Sequence, residues 1–190
     1  MMHFDDEQNF PLAKERMLME LQAALEQRYS CRSFLPDAPT QEQVNAILEA
    51  GRIAPTARNL QPQRIWVITK KEDLEKIYSC TPCQYGAPVV FIIGYDTDVA
   101  MMHMQAREPW SFGNVDSASA LVQMLLKATD LGLATCWIGL YDDMAIRANF
   151  PIPENVELRA LVFLGTPAED GEPSPRHTER LPLDQTVTWL

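Results

Sequence analysis

Two stretches, APVVFIIGY (residues 87–95) and ELRALVFLG (157–165), are apolar almost without interruption. A strand with one wet face alternates polar and apolar residues, so unbroken runs of this length are those of strands buried on both faces. Pro88 bounds the first run. RIWVIT (64–69) and LATCWIG (133–139) add two shorter β-rich segments. The core is therefore expected to be a sheet with helices packed on it.

The helices follow from spacing and caps. LAKERMLMELQAALEQR places Leu18, Leu21 and Leu25 at three- and four-residue intervals among good helix formers, which predicts a helix from Pro11 to about Arg28. Thr40 and Gln43 form a T-x-x-Q capping box ahead of Val44, Ile47 and Leu48, so a second helix should run to about Ile53. KKEDLEKIY (70–78) predicts a short helix, and Asp142 a cap for another that reaches about Asn149. From Ala118 to Leu131 apolar residues occupy nearly every side of a helical wheel, with Gly132 as the stop signal. Such a helix belongs at a domain centre or a dimer interface. Residues 96–113 have no clean period and are expected to form an irregular excursion. From Thr166 the chain is Pro-rich and has no core of its own, yet it ends in the apolar TVTWL.

With 190 residues and 46% hydrophobic content the chain suits a single domain, 1–190, with one sizeable core. No run of about 18 apolar residues occurs. The start MMHFDDEQNF is acidic where a secretory signal would be basic and then apolar, so a soluble cytoplasmic protein with no membrane partner is expected. Its 26 acidic against 16 basic residues give a formal charge of −10, which disfavours nucleic acid as a partner. Cys80 and Cys83 form a C-x-x-C pair, but His3, His103 and His177 offer no matching ligands at metal-site spacing. Cys31, Cys80, Cys83 and Cys136 are expected to be reduced thiols, with no metal bound.

No nucleophile elbow, HExxH, P-loop or GxGxxG is present. What remains is a set of donors: Arg28, Ser30 and Arg32 in RYSCRSF, the polar loop APTARNLQPQ (54–63), the glycine after CWI, and the arginines of SPRHTER. Arginine forks with a nearby hydroxyl suit a phosphate.

The succession RYSCRSF, APTARNLQPQ, GLATCWIG, LVFLGTP and RLPLDQTV resembles the FMN-dependent nitroreductase family from about Arg28 to Val187. The resemblance implies an α+β fold, layered α/β/α, with a central, mostly antiparallel mixed sheet flanked by helices. It also implies a homodimer with FMN sites at the subunit interface, in which the C-terminal extension (166–190) packs on the partner. Arg28 and Ser30 match positions that hold the flavin phosphate, and Arg32 the basic position beside N1 and the C2 carbonyl. Arg180 matches a second phosphate contact, with Arg176 as a possible helper. Pro55, Thr56 and Asn59 match the loop that one subunit lays along its partner's flavin, and Gln61 and Pro62 match its frame. Gly139, with Ile138 beside it, matches the backbone position that approaches N5.

Tyr29, Arg58, Gln63 and Ala134 depart from the usual pattern. Arg58 and Gln63, with Trp110 and Phe112 in the irregular excursion, are the candidates for a substrate pocket. The implied activity is hydride transfer from NADH or NADPH through flavin N5 to a nitroaromatic or quinone, by a ping-pong cycle. No side chain is nominated as a catalytic acid or base; Arg32 and Gly139 would assist. The residues leave open a narrower flavin reaction (reductive dehalogenation, enone reduction, flavin fragmentation), a flavin-holding redox-responsive protein with little turnover, and a cofactor-free interaction module.

Overall fold

The structure, a computed structural model, describes residues 19–190. Its elements are α1 (Leu21–Gln27), α2 (Gln41–Arg52), β1 (Gln63–Ile68), α3 (Lys71–Ser79), β2 (Val89–Asp96), β3 (Met102–His103), β4 (Trp110–Ser111), α4 (Gly113–Asp130), β5 (Ala134–Ile138), α5 (Asp143–Asn149), β6 (Val156–Gly165) and α6 (Leu183–Thr186). The two unbroken apolar runs pair with each other at the middle of a four-stranded sheet of order β1-β2-β6-β5.

Alternation along this central pair divides the core. Val89, Phe91 and Ile93 of β2, with Ala160, Val162 and Leu164 of β6, face α2 and α4 through Ile47, Leu121, Met124 and Leu125. Val90 and Ile92, with Leu161 and Phe163, face the other layer, where Ile77 of α3, Ile146 of α5 and Cys31 complete the packing. This is the layered α/β/α arrangement implied by the resemblance. Every pairing within the sheet is antiparallel; the parallel component is confined to a bridge between Ser30 and Thr135 at the β5 edge.

The caps form as the sequence predicts. Thr40 accepts from the Gln43 backbone while the Gln43 side chain accepts from Thr40, and Asp142 accepts from the Ala145 N–H. Caps of this kind are worth about 1 kcal/mol each. Most of the segment predicted as the first helix lies outside the described residues; the described part is α1. The helix predicted from Ala118 instead begins at Gly113, because Asn114 and Asp116 read as loop in sequence but occupy its first turn. It is also not buried all round: Val115 and Val122 point outward from the sheet and are exposed. The excursion is more regular than its sequence, since β3 and β4 pair as a short antiparallel ladder. Among the described residues no helix is long and apolar enough to cross a membrane.

β6 carries one extra residue opposite β2: Ile93 pairs with Ala160 but Gly94 pairs with Leu158, so Arg159 is bulged. Its guanidinium lies 5.1 Å from the Tyr95 ring centroid, and it forms an ion pair with Glu157, which accepts a 2.5 Å hydrogen bond from the Tyr95 hydroxyl. Tyr95 is thereby fixed under the first turn of α4, where a Cβ on Gly113 would come within 2.1 Å of its ring. Gly113→Ala should therefore cost about 1–3 kcal/mol by overpacking. The expected thermal unfolding midpoint is lower by roughly 3–10 °C. Gly139→Ala, whose Cβ meets nothing within 4 Å, should leave the midpoint nearly unchanged.

Candidate functional site

After α1 the chain runs extended along the free edge of β5. Ser30 bridges Thr135, and the Cys31 N–H donates to the Thr135 carbonyl at 2.9 Å. Cys31 is fully buried in the core, so its neighbours Ser30 and Arg32 take the opposite, outward side. Farther along, Phe34 bridges Pro167 and the Ala168 N–H donates to Ser33 O, which stitches this strip to the start of the tail.

The tail then returns. Ser174 accepts from the Arg176 N–H, and the single 3₁₀ turn Pro175–His177 carries Arg176 and His177 against the strip. The His177 ring meets Tyr29 edge-on at 6.2 Å, and its Nε2 lies 2.9 Å from the Glu26 carbonyl.

Between strip and tail lies a cavity of about 390 Å³ with Arg28, Ser30, Arg32, Arg176, His177 and Arg180 in its wall. Tyr29 and Ser174 complete the lining, and no carboxylate is among these residues. The ion pairs among the described residues use Arg52, Arg64, Lys76, Lys127, Arg147 and Arg159, all elsewhere. Arg32 and Arg180 spend donors on backbone carbonyls, those of Ser30 and Glu179. Burial pushes the Tyr29 phenol up to about 12, so it stays neutral. Four guanidinium groups gathered in one cavity, in a chain with ten excess negative charges, are a donor set whose chemistry suits a multivalent anion.

The parallel direction of the Ser30–Thr135 bridge carries Arg32 toward the far end of β5, close enough to act on the Cys136 thiol. That thiol is pushed up to about 11, chiefly by burial, and is not a nucleophile at neutral pH. Gly139 lies four residues beyond Thr135, about 13 Å at the usual strand rise. Ile138 is buried beneath it, and the space in front of Gly139 is open.

A second group of the sequence-predicted residues sits at the opposite edge of the sheet, ahead of β1. Arg58, Asn59 and Gln61 all have positive φ (52°, 57° and 53°), a conformation rare for residues with a side chain. Such strain, of order 1–3 kcal/mol per residue, persists only where the surroundings impose it. Here the Ala57 N–H donates to the buried Asp116 of α4 at 2.9 Å, and the Gln61 N–H to Thr56 Oγ1 at 3.1 Å. The Pro62 carbonyl accepts from Asp96 N, and Arg64 donates to the Gln61 carbonyl. Asp116 is one turn beyond Phe112, which with His103 and Trp110 forms a stack of three rings spaced 4.4–5.8 Å apart. Loop and aromatic cluster thus converge on the first turn of α4. Gln63 departs from this group: it faces a groove between α2 and β1, where its Oε1 is buried without a partner.

Within one chain the two groups do not meet. Arg28, Ser30, Arg32, Arg176 and Arg180 surround the cavity, with Ile138 and Gly139 farther along β5, whereas Pro55, Thr56, Arg58, Asn59 and Gln61 lie across the sheet. Sequence reasoning missed His177 and Asp116. The first stood inside the arginine-rich SPRHTER; the second gave only the weak signal of an acid in a helix's first turn. Cys80 and Cys83 are free thiols, and among the described residues no group of three His, Cys, Asp or Glu side chains could hold a metal ion.

The Nitroreductase family model matches residues 25–84 and 80–166. A Methanothermobacter thermautotrophicus protein, described as an NADH dehydrogenase/NAD(P)H nitroreductase, is 32% identical over 80% of each chain. An NADH dehydrogenase of Thermus thermophilus is 29% identical over 90% of this chain and 97% of its own. A nitroreductase family protein from Clostridium difficile has the same fold, with a TM-score of 0.82 at 30% identity over 90% of this chain and 98% of its own. A Desulfovibrio desulfuricans structure, described as a nitroreductase in complex with FMN, gives a TM-score of 0.75 at 26% identity over 90% and 96% of the two chains. With most of its length matched by the family model and its fold shared by these structures, the chain belongs to the nitroreductase family.

Proposed function

We propose that this FMN-dependent oxidoreductase transfers hydride from NADH or NADPH through its flavin to an electron-poor acceptor, a nitroaromatic or a quinone, by a ping-pong cycle. The observation that carries the reading is a cavity of arginines with no ion pair among the described residues, joined along β5 to an open backbone at Gly139. FMN, when bound, supplies the redox chemistry at its N5 atom, which is why the chain needs no acid–base constellation of its own. The chain's residues hold and tune it. Arg28, Ser30, Arg176 and Arg180 would grip the phosphate. Arg32 would place a permanent positive charge where the reduced ring gathers negative charge, and so stabilise that charge without reorganisation. Gly139 leaves room for a ring to lie against the backbone beside Ile138.

A homodimer completes the site. Pro55, Thr56, Asn59 and Gln61 cannot reach the cavity of their own chain, but a stiff, strained loop suits contact with a rigid ring held by a second copy. Two exposed surfaces support such a copy. The outer face of α4 presents Val115, Ala118 and Val122 beside Pro55 along an open groove of about 630 Å³. Among the described residues β1 leaves one edge unpaired beside a groove lined by the half-buried Leu48 and Ile65, while Trp189, in a tail with no core, is 93% exposed. An open strand edge and an apolar, β-branched terminus are complementary. Residues 167–180 of the extension pack on their own chain, so only its end, 181–190, is assigned to the partner's surface. Arg58, Trp110 and Phe112 are assigned to the entrance for donor and acceptor, and Gln63 to its margin. The site is assigned to the cytoplasm, where NAD(P)H is available.

Purified protein should be yellow, carry one FMN per chain and oxidise NAD(P)H steadily with menadione or nitrofurazone. A preparation that stays colourless after incubation with FMN would sink the reading, and flavin binding without turnover would favour a redox-responsive holder. Arg32 is exposed and donates only to the neighbouring Ser30 carbonyl among the described residues, so Arg32→Ala should fold normally. Its flavin reduction by NAD(P)H in stopped flow should slow by roughly 100-fold, on the scale of removing one preorganised donor; an unchanged rate removes Arg32 from this role. Sedimentation should give a dimer, and Val122→Asp should shift it toward monomer with loss of FMN. A stable monomer that keeps stoichiometric FMN would refute the shared site.

A further inference from the structure

The cavity after α1 holds one titratable base among permanent cations, and its tautomer is fixed. His177 Nε2 sits 2.9 Å from the Glu26 carbonyl, an oxygen that can only accept, so Nε2 carries a proton. Nδ1 is the nitrogen left to gain or lose one. The ring is held in place by the edge-on contact with Tyr29 and by the turn that Ser174 caps.

The groups around this ring are known from each element packed on it. The end of α1 and the following strip bring Arg28, Tyr29 and Arg32; the tail brings Arg176 and Arg180. Glu26 presents its carbonyl, Glu172 lies near enough to act on Tyr29, and the Glu179 carbonyl is taken by Arg180. A phosphate dianion entering among these cations favours a protonated ring in the bound state over the anion-free one, because an adjacent opposite charge stabilises the charged form.

We propose that His177 is a proton-linked ligand of the flavin phosphate, taking up a proton on Nδ1 as FMN binds and releasing it as FMN leaves. This rests on the flavin reading above. The sign follows from linkage: if the complex binds a proton that the free protein lacks, affinity is highest at low pH and falls as pH rises through the range where the bound imidazole loses that proton. The phosphate stays dianionic above about pH 7, since its second pKa is near 6, so its own titration does not intrude there.

The test is release of FMN from the holoenzyme on dilution, read as recovered flavin fluorescence, between about pH 7 and about pH 9. For the wild type, Kd should rise by roughly threefold or more across this range, as the proton taken up with FMN is lost again at high pH. His177→Gln keeps an N–H for the Glu26 carbonyl and cannot titrate; its Kd should stay within about twofold of the wild-type value at the alkaline end. Riboflavin, which lacks the phosphate, should bind the wild type with no such slope. Calorimetry of FMN binding in two buffers of different ionisation enthalpy should show net proton uptake by the wild type, which needs no variant. A flat wild-type profile, an undiminished slope in H177Q, or an equal slope with riboflavin overturns the role of His177 while leaving the flavin reading intact. Failure of the wild-type protein to take up FMN at all overturns both.

Discussion

β2 and β6 pair along their length with apolar side chains on both faces, and this constraint sets where everything else can go. A pair that cannot show either face to water must be covered by a layer on each side, so α2 and α4 take one face and α3 and α5 the other. The faces are then unavailable to polar chemistry. Only the edges and ends of the sheet remain, and the polar residues that matter are divided between them: the arginine cavity outside β5 and the strained loop ahead of β1. The proposal of a shared site follows from this division, since no rearrangement within one chain that keeps the central pair buried can bring the two edges together.

The charge distribution follows the same logic. A chain with ten excess acidic groups has carboxylates to spare, yet among the described residues none lines the cavity that holds Arg28, Arg32, Arg176 and Arg180. Elsewhere ion pairs form between near neighbours, as in Arg52 with Glu49 and Arg147 with Asp143, at solvent-screened positions where such pairs contribute little. Leaving four guanidinium groups unneutralised in one place raises the energy of the anion-free protein. In the proposed site, a bound phosphate would offset that cost.

The legible parts of the fold were those written in short-range pattern. The two apolar runs, the Thr40–Gln43 capping box and the Asp142 cap each depend on residues within a few positions of one another, and each formed as read. The start of α4 was not legible, because Asn114 and Asp116 are loop-like residues whose helical placement is fixed by contacts from elsewhere: Asp116 holds Ala57, 59 positions away. His177 was invisible for the same reason, its partner Glu26 being 151 positions distant. The arginines could be named from motif order alone, but their lack of carboxylate partners is a three-dimensional fact. So is the division of the site between two sheet edges.

The backbone of the loop ahead of β1 bears on what its side chains are for. Asparagine enters the left-handed region at little cost, so Asn59 is unremarkable there, but Arg58 and Gln61 are not residues the conformation favours. Glycine at either position would relieve the strain while enlarging the entropy of the unfolded chain, two effects of opposite sign and similar size. Gln61 has a local justification, because its amide donates to the Asn59 carbonyl and its own carbonyl accepts from Arg64. Arg58 has none: it is exposed, enters no ion pair among the described residues, and its φ of 52° works against it. An exposed side chain held in an unfavourable conformation, with no hydrogen bond or ion pair among the described residues, fits a use drawn from what approaches the loop. In the shared-site arrangement that is the ring and the molecule stacked on it, where a fixed guanidinium would favour acceptors that gain negative charge as they are reduced.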